Sequence, residues 1–172
     1  MAYSGSCNGP RGLVFLGSST ASSSASITLT QTASSAYTTF YVTMTNVSAG
    51  TTGNKLQMSL GAISSGYQSG VIYAAYNSNS FADSTSTGTF YLSSNQPTTS
   101  SYNGYFYITN FAASTITSLW GAATYTDSTS TVPGFAFITG TNTANAIGSS
   151  LKFSFIAGNI ATGTFSIYGV LE

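Results

Sequence analysis

The sequence predicts an all-β protein: a single-domain, antiparallel β-sandwich of jelly-roll type. Apolar and polar residues alternate with a period of two in many short runs, which is typical of strands with one buried face. No long segment shows the 3.6-residue spacing of an amphipathic helix. Runs of Ser, Asn, Gly and Pro separate the alternating runs at short intervals, as they do at the turns of a sandwich. The length of 172 residues suits one domain.

The alternation predicts about eleven strands, of which two are the clearest. In residues 37–46, Phe40, Val42 and Met44 share one face, and residues 55–60 alternate in the same way. The connection between these two strands contains two glycines and an asparagine, which tolerate the backbone conformations of a reversal, so we predict a hairpin. The other predicted strands are residues 13–16, 26–31, 71–76, 89–93, 105–111, 116–125, 135–139, 151–156 and 164–170.

Residues 1–12 are predicted to form a short N-terminal arm, and residues 13–172 the β-sandwich domain, because no shift in composition marks a second domain. Two segments inside the domain, residues 83–87 and 127–131, both read Asp-Ser-Thr-Ser-Thr. We interpret them as equivalent surface loops, since Asp, Ser and Thr favour turns. Their flanking segments differ residue by residue, so we predict no full internal repeat.

The chain carries very little charge, which limits its partners. Its charged residues make up 3% of the sequence, against roughly 25% in an ordinary soluble domain; they are Arg11, Lys55, Lys152, Asp83, Asp127 and Glu172. Scattered cations cannot neutralise a row of phosphates, so we predict no nucleic-acid partner. Because an uncharged monomer tends to associate, the composition favours a subunit of a larger particle. A secreted β-domain, kept soluble by its many Ser and Thr hydroxyls, is the alternative.

No segment is predicted to enter a membrane or the secretory pathway. The first residues, MAYSGS, lack the basic start and the apolar run of a signal peptide. Nowhere do about 18 apolar residues follow one another, as a membrane-spanning helix requires. We therefore expect synthesis in a cytoplasm and no membrane insertion.

The side chains that catalysis and metal binding require are almost missing from the sequence. There is no histidine, so neither a Ser-His-Asp nor a Cys-His arrangement can form within the chain. Asp83 and Asp127 are the only internal carboxylates, whereas a glycosidase needs two beside one bond and calcium takes 6–8 oxygen ligands. Cys7 is the single cysteine, which excludes an internal disulfide. We predict no catalytic residues, no cofactor, no metal site and no enzymatic activity.

Five aromatic residues are the candidate site residues, because an aromatic ring can stack on a sugar or fill a subunit interface. These residues are Tyr67, Tyr102, Tyr105, Tyr107 and Trp120. Packing in the core or in an interface is the favoured interpretation for each of them, and binding of a host-surface glycan is the other.

One predicted strand, residues 105–111, is apolar on both faces. Tyr105, Tyr107 and Phe111 lie on one face, and Phe106 and Ile108 on the other. A two-layer sandwich buries only one of these faces, so something must cover the second. We expect a homo-oligomer whose contacts use such apolar, tyrosine-rich faces, with a loop of the same chain as the alternative cover.

The last third of the chain has a distinctive pattern. Residues 147–155 read IGSSLKFSF and residues 158–170 read GNIATGTFSIYGV, while residues 13–18 near the start read LVFLGS. This pattern resembles a β-sandwich module of tailed-bacteriophage virion proteins, and the resemblance spans nearly the whole chain. It implies a virion structural protein that assembles as a homotrimer and contacts other virion proteins.

The resemblance leaves two locations in the virion open. One is an exposed tail-associated module, a fibre tip or receptor-binding knob, that presents aromatic residues to a host-surface glycan. The other is a capsid decoration or head-spike protein, which binds the phage shell and needs no ligand. Only about twelve residues precede the first predicted strand, which favours the decoration protein. A free secreted lectin is a third class, disfavoured by the absence of a signal peptide.

Overall fold

The computed structural model describes residues 12–30, 36–51, 54–75, 81–85, 88–93, 101–126 and 133–171. These residues form twelve strands and no helix. The strands are β1 (Gly12–Ser24), β2 (Ile27–Thr30), β3 (Thr39–Ala49), β4 (Leu56–Leu60), β5 (Tyr67–Ala75), β6 (Phe81–Thr85), β7 (Phe90–Tyr91), β8 (Tyr102–Thr109), β9 (Thr117–Thr126), β10 (Pro133–Asn142), β11 (Ser150–Phe155) and β12 (Ile160–Leu171). The predicted all-β sandwich is confirmed.

The strands form two antiparallel sheets with a jelly-roll arrangement at their centre. The larger sheet has the order β1-β12-β3-β8-β9-β10-β5-β6, and the smaller sheet has the order β2-β11-β4-β7. The first four strands of the larger sheet and all four of the smaller sheet form an eight-strand jelly roll, in which strands distant in sequence pair. The remaining four strands extend the larger sheet at one side.

Two insertions make this extension. Strands β5 and β6 lie between β4 and β7 in the sequence, and strands β9 and β10 lie between β8 and β11. The insertions join where β10 pairs with β5, from Gly134 opposite Ala75 to Asn142 opposite Tyr67. The larger sheet is therefore twice as wide as the smaller one.

The core lies between the sheets and is filled by alternate residues of each strand. On β3, Phe40, Val42 and Met44 are buried, as the alternation predicted. At the centre, the rings of Phe153 on β11 and Phe165 on β12 stack across the two sheets with centroids 4.5 Å apart. Such aromatic contacts, together with the apolar area that they remove from water, supply most of the driving force for folding.

All eleven predicted strands overlap strands of the structure, but the predicted hairpin between residues 37–46 and 55–60 is wrong. Strand β3 pairs with β12 and β8, whereas β4 pairs with β11 and β7 in the other sheet. The connection after β3 crosses from one sheet to the other, and it is held there by Gly50, whose N–H donates to the Asn159 carbonyl at 2.8 Å. A reversal of the chain is therefore not evidence that its two strands pair.

Three further expectations need correction or fall outside the described residues. Residues 83–85 were expected in a loop but belong to strand β6, which pairs with β5. Phe111 was expected on the face of Tyr105, but it is buried, because Asn110 adopts a positive φ of 58° and ends the alternation. Residues 1–11 of the predicted arm, Cys7 included, and residues 127–131 of the second predicted loop lie outside the described residues, and β1 already begins at Gly12.

Candidate functional site

The outer face of the larger sheet carries a row of aromatic side chains across five adjacent strands. Its members are Phe15 on β1, Tyr168 on β12, Tyr41 on β3, Tyr107 on β8 and Trp120 on β9. Each lies directly opposite the next in the strand register. We call these five residues the aromatic row.

The rings of the aromatic row form an unbroken chain of contacts. Centroid distances are 5.5 Å from Phe15 to Tyr168, 6.0 Å from Tyr168 to Tyr41 and 4.9 Å from Tyr41 to Tyr107. Tyr107 and Trp120 are stacked, with 4.8 Å between centroids and 24° between ring planes. Each such pair stabilises the sheet by about 0.5–1.5 kcal/mol beyond its buried area. The row is therefore a continuous surface of aromatic rings, and its ends are open to solvent: Phe15 is 58% exposed and Trp120 is 55% exposed.

A second group of apolar side chains stands beside the row on the extension of the sheet. Phe135 and Phe137 lie on β10 with 46% and 58% of their surface exposed, and Ile72 on β5 lies opposite Phe137 with 51% exposed. The two phenylalanine rings contact each other edge to face at 5.6 Å. We call these three residues the Phe ridge.

A groove separates the Phe ridge from the tyrosines of β3 and β8. Its floor includes Ala122 and Thr124, and its walls are Tyr41 and Tyr105 on one side and Phe135 and Phe137 of the Phe ridge on the other. The strand register explains the depression: Ala122, with a single methyl group, lies between Tyr105 and Phe137 on the neighbouring strands. The volume is about 550 Å³, within the range of small-ligand sites and of recesses that accept side chains of a partner.

The rim of the groove is polar but uncharged. Thr43, Thr45 and Asn103 line it, and the Asn103 side-chain oxygen accepts a hydrogen bond from the Asn46 N–H at 2.8 Å. The two lysines with described side chains lie elsewhere: Lys152 on β11 of the smaller sheet, and Lys55 over the Tyr91 ring at 4.9 Å. Together the row, Tyr105, the groove and the Phe ridge form one uncharged surface, the aromatic face.

Small residues on the inner side of β10 explain why its phenylalanines point outward. A Cβ atom at Gly134 would lie 2.8 Å from the Tyr125 ring, and one at Gly140 would lie 2.8 Å from the Phe90 ring. The inner face of β10 is therefore already filled by rings from β9 and β7. A larger residue does not fit at Gly134 or Gly140, whereas the large residues Phe135 and Phe137 occupy the outer face.

The hydroxyl of Tyr41, at the centre of the aromatic row, is neutral at ordinary pH. Partial burial raises the pKa of the Tyr41 hydroxyl above its usual value of 10, and the neighbouring hydroxyls of Tyr107, Tyr105 and Tyr168 raise it further. A phenolate at the centre of this cluster would face three other phenol oxygens. The aromatic face thus offers ring surfaces and hydroxyl groups, without a charge.

Three of the five predicted site residues lie together on the aromatic face: Tyr105, Tyr107 and Trp120. The other two, Tyr67 and Tyr102, are buried in the core and cannot contact a glycan or a partner subunit. Their hydroxyls bond within the chain: that of Tyr67 donates to the Ile63 carbonyl at 2.9 Å and accepts from the Leu60 N–H at 2.8 Å. That of Tyr102 donates to the Leu92 carbonyl. For these two, core packing is the correct interpretation.

Sequence reasoning did not select five other residues of the face: Phe15, Tyr41, Phe135, Phe137 and Tyr168. All five lie on strands that the sequence predicts, so the prediction of strands alone did not distinguish them from other strand residues. The available signal was the alternation of aromatic with small residues on β10, because small inner residues imply large outer ones.

The buried tyrosines predict a steep loss of stability in alkali. Burial raises the pKa of Tyr102, with Tyr125 adding to the effect, and burial also raises the pKa of Tyr67. Below pH 10 these hydroxyls are neutral in both folded and unfolded chains. Above pH 10 they ionise more readily in the unfolded chain than in the folded one, so the free energy of unfolding falls as pH rises. In an alkaline titration, we expect part of the tyrosinate absorbance to appear only together with unfolding.

The control for this titration is Tyr102→Phe, which removes one late-ionising hydroxyl. We expect it to lower stability at neutral pH, where the bond to the Leu92 carbonyl is lost, and to weaken the dependence on pH above 10. Complete, reversible tyrosinate formation in a chain that stays folded would contradict the assignment of Tyr102 and Tyr67 to the core.

The described part of the chain offers little for other chemistry. No three His, Cys, Asp or Glu side chains come together among the described residues. No helix long and apolar enough to cross a membrane occurs in the same residues. The aromatic face is therefore the candidate functional site, and what it can do is bind by apolar contact and stacking.

Comparisons of this chain with protein-family models, with curated proteins and with solved structures found no match. The functional interpretation consequently depends on the aromatic face and on the pattern of the sequence.

Proposed function

We propose that this chain is a non-enzymatic structural protein of a bacteriophage virion, an exposed tail-associated module that assembles as a homo-oligomer. The observation that carries the proposal is the aromatic face on the larger sheet, whose Phe15, Trp120, Phe135 and Phe137 are each about half exposed. Contiguous apolar patches of more than a few hundred Å² are unusual on monomers and mark interaction surfaces. The resemblance of the sequence pattern to tailed-phage modules supplies the virion context, and a homotrimer is the form that it implies.

The fold is compatible with this proposal. Jelly rolls occur in viral capsid proteins and in lectins, among others, so an interaction module is a common use of this architecture. A fold does not define a function by itself, however, and the site must carry the argument. Here the site is an uncharged, ring-lined surface without a histidine or a carboxylate pair, which favours contact over chemistry.

A capsid decoration or head-spike protein is the alternative within the same class. Such a protein would also use an apolar face, but it would bind the shell and need no ligand. A tail-tip module would in addition meet a host-surface glycan, for which the exposed rings of Trp120 and Tyr105 and the nearby Thr and Asn groups offer stacking and hydrogen bonding. Its partners in either location are other virion proteins and further copies of itself.

Immunogold electron microscopy tests the proposal and separates the two locations. An antibody against the recombinant chain would be applied to phage particles purified from a lysate in which this chain is produced. We expect label at regular positions on the tail. Label distributed over the head would instead favour the decoration protein. Unlabelled particles, with the chain recovered only as free protein, would overturn the assignment to the virion.

A further inference from the structure

We propose that a second copy of this chain covers the groove, with the Phe ridge of one copy seated in the groove of the other. This inference builds on the assembly part of the proposed function by naming the partner and the contact residues. Because ridge and groove lie side by side on the same face, the contact is reciprocal and joins copies in pairs; a homotrimer, the form that the resemblance implies, would need a different contact.

Shape is the first argument. The floor of the groove is low at Ala122, which has a single methyl group, and the groove is flanked by rings on both sides. The Phe ridge projects two phenylalanines and an isoleucine from the neighbouring strands, each about half exposed. A volume of about 550 Å³ leaves room for such side chains, and sheets that pack face to face let their side chains interdigitate at a spacing of about 10 Å.

Area is the second argument. Each aromatic side chain has roughly 200 Å² of surface, so five that are about half exposed offer about 500 Å². Those five are Phe15, Tyr105, Trp120, Phe135 and Phe137. Leu13 and Ile72, both 51% exposed, and the partly exposed tyrosines of the row add to this. The face thus approaches the roughly 800 Å² per partner that a stable protein interface buries.

Charge is the third argument, and it favours a second copy over an unrelated partner. An interface between identical faces brings like charges together, which costs several kcal/mol where charges are present. Among the described side chains, the aromatic face carries none, and the chain as a whole has a net charge of zero. No charge on this face therefore repels a second copy, and no charge on it would attract a partner of opposite charge.

The test uses two variants that damage opposite halves of the contact. The ridge variant, Ile72→Arg, places a charge on the ridge and leaves every residue that lines the groove unchanged. The groove variant, Ala122→Trp, fills the groove and leaves the ridge intact. Both changes lie on the outer face, so circular dichroism spectra should match the unmodified chain, and melting curves should match it at concentrations too low for self-association. Thr124→Arg, also on the groove, replaces the groove variant if Ala122→Trp fails to fold.

Self-association would be measured by sedimentation and light scattering over a range of protein concentrations. We expect each variant alone to self-associate at least 30-fold more weakly, as the loss of an interface hot spot does. A mixture of the two variants should associate at least 10-fold more tightly than either alone, because one supplies the ridge and the other the groove. Ile147→Arg is the matched control, since Ile147 is likewise about half exposed but does not line the groove.

Several outcomes would overturn the inference. A ridge variant that self-associates like the unmodified chain, or a mixture that fails to recover association, would show that the ridge does not occupy the groove. A monomeric chain that binds a neutral oligosaccharide, with binding lost in the groove variant, would make a glycan the occupant. These outcomes concern only the contact between copies. Labelled particles would still support the assignment to the virion, whereas unlabelled particles would contradict the assignment to the virion and not the contact.

Discussion

Replacing Phe153 with alanine should lower the free energy of unfolding by about 3–5 kcal/mol, one of the two largest losses that we expect from a single substitution. Phe153 is completely buried on β11, and its ring stacks on Phe165 at 4.5 Å and contacts Phe106 at 6.4 Å. It therefore joins the two sheets of the jelly roll. Its removal costs the transfer free energy of the ring and also leaves a cavity that the surrounding strands cannot fill.

Urea unfolding, repeated at two protein concentrations to identify any contribution from association, measures this effect. The melting temperature should fall by roughly 10 °C, given the usual scaling for a chain of this size. Phe137→Ala is the matched control, because it removes the same ring from a position that is 58% exposed. Equal losses for the two variants in the monomer would contradict the assignment of Phe153 to the centre of the core.

We expect Gly121→Ala to destabilise the chain by about 3 kcal/mol or more, although it adds only one methyl group. Gly121 on β9 is buried directly opposite Phe106 on β8. A Cβ atom there would lie 2.6 Å from the Phe106 Cα and would also clash with the Tyr105 carbonyl oxygen. Because the obstacles are backbone atoms, β8 and β9 would have to separate, and the aromatic row would break between Tyr107 and Trp120.

Hydrogen exchange and thermal melting provide the measurement. Amides of β8 and β9 should lose protection first, because their pairing is strained in this variant. Gly17→Ala on β1 is the control, since no atom lies within 4 Å of a Cβ built there, and its stability should change by no more than about 0.5 kcal/mol. A Gly121→Ala protein as stable as this control would refute the close approach of the two strands.

The strands could be predicted from the sequence because each has an inner and an outer face that the alternation records. The sequence pattern does not predict strand β6. Residues 83–85 have the composition of a turn, and they form a strand because they pair with β5. The sequence pattern of a single strand also does not indicate to which of the two sheets that strand belongs. In a jelly roll, β3 and β4 are consecutive in the sequence but lie in opposite sheets, so alternation describes both equally well.

The candidate site was predicted in part. Of the five candidate residues, Tyr105, Tyr107 and Trp120 lie on the outer face, and the strand that carries two of them is apolar on both sides. Tyr67 and Tyr102 were not separable from them by sequence, because a buried tyrosine differs only in having a backbone partner for its hydroxyl. Phe135 and Phe137 depend on the rings of Tyr125 and Phe90, which fill the inner side of β10 from distant parts of the chain.

The two insertions that widen the larger sheet depend on each other. Strand β10 makes nine residue pairs with β5, although residues 86–116 separate the two hairpins in the sequence. A descendant of this chain that lost β5 and β6 alone would leave β10 as an open edge, with a row of unpaired N–H and C=O groups that invites aggregation. Selection should therefore retain or delete the two insertions as one unit. A designer who transplants this surface onto another jelly roll must move both hairpins together.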